Sequence, residues 1–250
     1  MKKILFLLLF LSGSTFVAQT NTNLFDKANT AYKKTNYEEA IKLYKQIEAQ
    51  DVVSSTLFYN LGNCYYKINN VANTIYYYEK ALLLNPLNKD AAINLEFAKR
   101  MTIDIIDELP KTFLQRFEVN YIQKFSYNQW AMISIICSFL TAIFFFLFYF
   151  SKASGKKRSY FLGSVLLFVL FIISTTTTYN QYNRTLSAKI AIIFSPKTIV
   201  KSAPTDNAEE IFTLHEGTKV NVLDAVDNWK KIRLADGKVG WMLASDLKEI

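Results

Sequence analysis

At 250 residues and a formal net charge of +8, with 51% hydrophobic and 15% aromatic residues, the chain can hold two small domains and is more apolar than a globular average. Residues 20–129 carry 13 basic against 12 acidic groups and residues 179–250 carry 10 against 9, so the excess sits on Lys2, Lys3, Lys152, Lys156, Lys157 and Arg158, beside apolar runs. A nucleic-acid binder gathers its cations where phosphates must be met, and this distribution excludes that class.

The chain opens with Met1-Lys2-Lys3 and the apolar run Ile4–Leu11, a positive region followed by a segment too short to span a bilayer. Residues 1–19 are expected to be a signal peptide. Cleavage after Ala18 would place bulky Phe16 at −3, and cleavage after Ser14 fits the small-residue rule better; the site stays open.

Residues 21–54 and 55–88 align without a gap at a period of 34: Ala28 falls on Gly62, Tyr32 on Tyr66, Ala40 on Thr74, Tyr44 on Tyr78 and Ile47 on Ala81. The second unit reads Phe58-x-x-Leu61-Gly62-x-x-Tyr65, then Ala81 and Pro86. The spacing resembles the tetratricopeptide repeat (TPR), whose period is 34 residues. Small residues at Ala28 and Gly62 let paired helices approach, and Pro86 cannot continue a helix. Thr74 stands for the usual alanine, and Lys27 stands where the second unit has Leu61. Asp90–Met101 is expected to form a capping helix with Ala91, Ala92, Leu95 and Ala98 on one face, giving a TPR domain over residues 20–101.

By this resemblance, the concave groove holds an extended peptide and is faced by Phe25, Asn29, Tyr32 and Lys33, then Tyr59, Asn63, Tyr66 and Lys67. Asn29 and Asn63 echo the family's carboxylate clamp, yet Phe25, Ile93 and Phe97 occupy positions that need basic residues. A more apolar peptide groove, and residues that merely pack the stack, are the other readings.

In the linker, residues 102–129, Phe113, Phe117, Tyr121 and Phe125 recur every four residues, so a juxtamembrane helix with one aromatic face is expected, lying in the membrane interface or docked on the repeat. Residues 130–150 and 160–178 are uncharged runs of transmembrane length joined by the basic loop 151–159, which the positive-inside rule keeps cytoplasmic. Cys64 and Cys137 then fall in different compartments, which excludes a disulfide between them.

Short β-rich runs follow: Ala188–Phe194, Ile199–Lys201, Ile211–Leu214, Thr218–Leu223, Lys230–Leu234 and Lys238–Leu243, with turns between. Leu214-x-Glu-Gly-Thr-x-Val220 and Trp229-x-x-x-Arg233-x-x-x-Gly237-x-x-Gly240-Trp241 resemble bacterial SH3-like (SH3b) domains, over residues 188–250. That family binds peptides or cell-wall peptide stems. Trp229 and Trp241 are candidates for such a surface or for the core, Trp241 more for the core. His215, the single histidine, reads as a solvated turn residue.

The expected fold is multi-domain: an all-α TPR repeat, a two-helix transmembrane hairpin and a small all-β SH3-like barrel. Gly-rich phosphate loops, His-Glu-x-x-His and Gly-x-Ser-x-Gly are absent from the sequence. A non-enzymatic protein without metal or cofactor is therefore expected. The order of segments resembles the BatE-type members of the Bat aerotolerance family. The resemblance implies partners among other membrane proteins, including von Willebrand A-domain Bat proteins, in a complex on the periplasmic side of a bacterial inner membrane. An interaction scaffold is the first reading. A peptidoglycan-binding envelope sensor is the second, disfavoured because a loop of nine residues is small for signal output.

Overall fold

The structure is a computed structural model and describes residues 23–107, 109–187 and 189–250; the expected signal peptide lies outside the described residues. Two compact units are present. One gathers residues 23–84, Asn88–Asp107 and Ile190–Ile250, and the other lies within the stretch between Asp107 and Ile190.

The first unit begins with helix α1 (residues 23–33), then α2 (Tyr37–Glu48), α3 (Ser55–Lys67), α4 (Val71–Leu84) and α5 (Lys89–Lys99). The 34-residue period extends to the caps. Ser54 accepts from the Leu57 N–H at 3.5 Å and Asn88, 34 residues on, from that of Ala91 at 3.1 Å. Asn36 and Asn70 likewise receive the N–H groups of Glu39 and Asn73, satisfying orphan donors at helix starts. The residue before each, Thr35 and Asn69, has φ near +60°, a left-handed turn residue closing α1 and α3. Ala40, Tyr44, Ile47, Leu61, Cys64, Tyr77, Tyr78 and Ala81 fill the core. A Cβ on Gly62 would stand 2.5 Å from the Tyr78 ring, so that crossing tolerates only glycine without repacking. The face Ala91, Leu95, Ala98 of α5 is buried as expected, whereas Ala92 is exposed.

Strands β1 (Ile190–Ile193), β2 (Lys197–Lys201), β3 (Glu210–His215), β4 (Lys219–Val226), β5 (Trp229–Arg233), β6 (Val239–Leu243) and β7 (Leu247–Glu249) form one antiparallel sheet in the order β3-β2-β6-β5-β4-β1-β7. The sheet curls until Thr198 of β2 donates to Asp246, next to β7, at 2.6 Å. Strand β7 has no counterpart among the expected runs, because Leu247-Lys-Glu is too short to show alternation. Inside are Ala191, Ile193, Val200, Val220, Ile232 and Met242.

This β-domain is built onto the helical repeat. Ala191 and Ile193 face the barrel core, while Ile192, fully buried, and Phe194 join the core of the repeat. Strand β1 is thus apolar on both faces, which explains its unbroken hydrophobic run. Phe194 meets Tyr76 edge-on at 5.8 Å, Lys248 lies 4.6 Å from the Tyr76 ring, and Lys219 pairs with Glu79 at 2.7 Å. Gly217, at φ +85°, brings a turn so near Val71 and Thr102 that a Cβ there would stand 2.9 Å from each.

The segment after α5, expected as linker, is part of this joint. Ile106 packs on the barrel core. Asp104 Oδ2 accepts from the His215 N–H and the Thr218 hydroxyl, both at 2.6 Å, and Oδ1 lies 2.8 Å from His215 Nδ1. His215 is therefore no solvated turn residue: it ends β3 and its side chain is largely covered. Burial pushes the Asp104 carboxyl up, but the hydrogen bonds from Thr218 and His215 outweigh this and hold it below the usual carboxylate range.

In the second unit, α6 (Phe113–Phe117) and a π-turn (Glu118–Ile122) precede α7 (Tyr127–Phe150) and α8 (Ser154–Ser187). Both long helices are apolar and long enough to cross a membrane, and most of their apolar surface is exposed, unlike that of a core helix of a soluble fold. Several of their hydroxyls bond within the pair. Ser134 donates to Ser174 at 2.9 Å, and Thr175, Thr176, Thr177 and Thr178 each bond the carbonyl four residues back. The expected loop of nine residues contracts to three, because α8 starts at Ser154 and carries Lys156, Lys157 and Arg158 in its opening turns.

Asp104→Ala leaves the His215 amide and Thr218 hydroxyl without their acceptor, a loss of about 1.5–3 kcal/mol for bonds to a charged group. Hydrogen exchange at the His215 amide in the detergent-solubilised full chain is expected to accelerate about 10–100-fold. An unchanged rate would show that Asp104 contributes nothing to the joint.

Candidate functional site: the groove of the helical repeat

The groove is built by a bond pattern that recurs with the repeat. Asn29 Oδ1 accepts from the Tyr44 hydroxyl at 2.6 Å and from Asn60 Nδ2 at 3.3 Å. Thirty-four residues later, Asn63 Oδ1 accepts from the Tyr78 hydroxyl at 2.7 Å and from Asn94 Nδ2 at 2.9 Å. Each asparagine ties the second helix of its repeat to the first helix of the next unit. Buried tyrosine hydroxyls need such acceptors.

A cavity of about 270 Å³ opens on this ladder, lined by Tyr32, Tyr59, Asn63, Tyr66, Lys67, Tyr78, Asn94 and Phe97. All eight come from α1, α3, α4 and α5, and the β-domain supplies none. It packs instead against Val71, Ile75, Tyr76 and Glu79 on another face of α4.

Five residues expected at the groove are brought together here: Tyr32, Tyr59, Asn63, Tyr66 and Lys67. Three are not. Phe25 meets the Tyr44 ring edge-on at 5.5 Å, Asn29 is engaged in its own ladder rung, and Lys33 is exposed at the end of α1. Sequence reasoning missed Asn94 as a groove residue, although stepping 34 residues from Asn60 reaches it. Phe97 steps in the same way from Asn63, and half of it remains exposed.

The lining is neutral and aromatic. Burial is the first cause that pushes the hydroxyls of Tyr32 and Tyr78 above their ordinary range, so both stay protonated donors at neutral pH. Burial also pushes the Cys64 thiol beneath it up to about 12, the mark of an inert buried sulfur. Lys67 is the cation at the rim of the cavity. Such a surface offers ring faces and amide-type hydrogen bonds to an extended chain, with one charge for a carboxylate. It lacks the several cations of a full clamp.

Away from the groove, Glu48 joins the two repeats. Lys45 and Lys80 each reach it at 2.9 Å and Tyr77 donates at 3.0 Å, while Lys80 also lies 4.1 Å from the Phe58 ring. Burial pushes its carboxyl up, and the bonds from Lys80 and Lys45 overcome that and hold it at about 2.

The family model of the tetratricopeptide repeat matches residues 55–88. That of the bacterial SH3 domain matches residues 197–248. The first match coincides with the second 34-residue unit, the more regular of the two; the second covers β2 to β7. No curated protein matches the chain.

On the SH3 domain, Trp229 and Trp241 belong to the outward-facing residues of β5 and β6, alternating with inward Ile232, Gly240 and Met242. Trp241 is half-buried and lies outside the barrel core, a correction to its expected place: the core position is filled by its neighbour Met242, and strand alternation turns Trp241 out. Lys231 lies 5.8 Å from the Trp241 ring and Lys201 5.7 Å from that of Trp229, and exposed Leu243 and Ile199 extend this face.

Two outcomes are expected. Asn63→Ala removes the acceptor of the buried Tyr78 hydroxyl and costs about 1–3 kcal/mol, read by urea denaturation of the full chain through its helical circular dichroism. Glu48 has a depressed folded pKa, so its stabilisation is fully present above about pH 4.5 and is lost as pH falls towards about 2. The acid-induced loss of helical signal in that window is expected to shrink in Glu48→Gln; an identical acid profile would exclude Glu48 as a source.

Proposed function

We propose that this protein is a non-enzymatic, membrane-anchored interaction scaffold whose TPR groove takes an extended peptide segment of another envelope protein. The observation that carries the reading is the open aromatic cavity at Tyr32, Tyr59, Asn63, Tyr66 and Lys67, left uncovered while the SH3 domain occupies a different face of α4. Both recognised domains belong to families that are typically non-catalytic and serve in recognition.

Membrane anchoring is supported by the two long, outward-facing apolar helices and by the chain's topology. The segments before and after the hairpin pack into one unit, so they must lie on the same side of any membrane crossed. Two crossings return the chain to the side it left. The cations Lys152, Lys156, Lys157 and Arg158 at the turn favour the cytoplasm for that end, which supports a periplasmic side for both domains. The segment order resembles the BatE-type Bat proteins, and that resemblance points to von Willebrand A-domain membrane proteins as partners.

A second reading, binding of peptidoglycan stems, draws on the outward Trp229 and Trp241 beside Lys201 and Lys231.

The test is affinity capture of the tagged full chain from native membranes, with Tyr59→Ala/Tyr66→Ala as the variant. Membrane proteins that co-purify with the parent are expected to be lost, at least about tenfold, from the variant, since truncating paired aromatic anchors removes 2 kcal/mol or more. Equal capture by both would exclude the groove as the recognition surface. Retention of the full chain on purified sacculi, lost in Trp229→Ala/Trp241→Ala, would favour the second reading.

A further inference from the structure

The stretch between Leu109 and Tyr127 is neither a free loop nor a plain helix. Its aromatic residues Phe113, Phe117, Tyr121 and Phe125 are four apart, and in an unbroken α-helix each step would rotate the series by about 40°. The π-turn intervenes, closing with the Gln123 N–H on the Glu118 carbonyl at 2.9 Å. Its wider turn offsets that drift. The Phe117 and Tyr121 rings consequently lie 5.0 Å apart. Large apolar groups project outward here: Phe113 is 77% exposed, Leu114 76% and Tyr121 62%.

Bonds to both long helices fix the level of this stretch on the hairpin. The Ile122 carbonyl accepts from Trp130 Nε1 of α7 at 3.0 Å and from Gln181 Nε2 of α8 at 3.1 Å, and Glu118 pairs with Arg184 of α8. Trp130 opens a predominantly apolar run that ends at Phe150. Its 21 residues rise about 31 Å, against a hydrocarbon core of about 30 Å. An indole at that position belongs at the boundary of the core, and a backbone bonded to it shares its depth. Phe125 of the stretch meets the Trp130 ring of α7 edge-on at 5.7 Å, and Arg116 and Lys124 carry charges suited to lipid phosphates.

We propose that residues 113–125 form a collar lying in the lipid interface, at the end of the hairpin opposite Lys152–Arg158, with Phe113, Leu114, Phe117 and Tyr121 inserted at the headgroup–acyl boundary. The collar sets the depth at which α7 and α8 sit. The inference rests on the membrane reading above, and its occupant is lipid rather than a protein face.

Spin labels at Phe117→Cys and Tyr121→Cys, in the full chain carrying Cys64→Ala and Cys137→Ala, test it in vesicles of phosphatidylcholine and phosphatidylglycerol. Collisions with oxygen, which concentrates in lipid, are compared with those with a water-soluble nickel chelate. Phe139→Cys in mid-α7 and Lys99→Cys on exposed α5 are the references. Oxygen-to-nickel ratios at 117 and 121 between those at 139 and 99 are expected. A ratio at 117 and 121 equal to that at 99, with 139 rich in oxygen, overturns the collar and leaves the hairpin in the membrane. Labels immobilised and shielded from both quenchers would mean a protein face covers the stretch, which also overturns it. Nickel exposure at 139 removes the membrane reading itself, and the collar with it.

Discussion

The architecture depends on one carboxylate. Asp104 lies just beyond the last helix of the repeat and receives three groups from a turn more than a hundred residues further on, the His215 amide, the His215 ring and the Thr218 hydroxyl. A contact of such sequence separation carries a large chain-closure cost, which the surrounding apolar joint of Ile192, Phe194, Tyr76 and Ile106 offsets. The two domains are thereby one body, and the intervening chain must leave and re-enter it.

The same residues that suggest recognition in the repeat also hold it together. Asn29 and Asn63 match the positions of a family clamp, yet their carbonyl oxygens accept from Tyr44 and Tyr78 and from the next helix's asparagine. A half-buried acceptor already bonded twice has little left for a ligand's donors. What the cavity still presents is the tyrosine ring surface, Phe97 and Lys67, a lining richer in ring faces than in charge.

In the hairpin, serine and threonine do not interrupt the helices because every hydroxyl noted finds an acceptor within the pair, either across the contact at Ser134 and Ser174 or one turn back along α8. Hydroxyls bonded in this way leave the backbone ladder of each helix unbroken. Helix α8 therefore runs through its four threonines to Ser187.

The sequence by itself determined what depends on local pattern: the 34-residue period, the two uncharged runs, and the glycine-and-tryptophan marked strands of the SH3 domain. Periodicity and length suffice there because each is a property of neighbouring residues on one helix or strand. It also carried five of the cavity's lining residues, through the repeat register. The tertiary structure alone decided the rest. That His215 is a bonded partner, that Trp241 faces outward and Met242 inward, that β1 is buried on both sides, and that residues 102–107 belong to a domain joint all follow from contacts between segments far apart in the chain. Such contacts leave no period to read, since a single Asp or Ile in a linker looks the same whether water or another domain covers it.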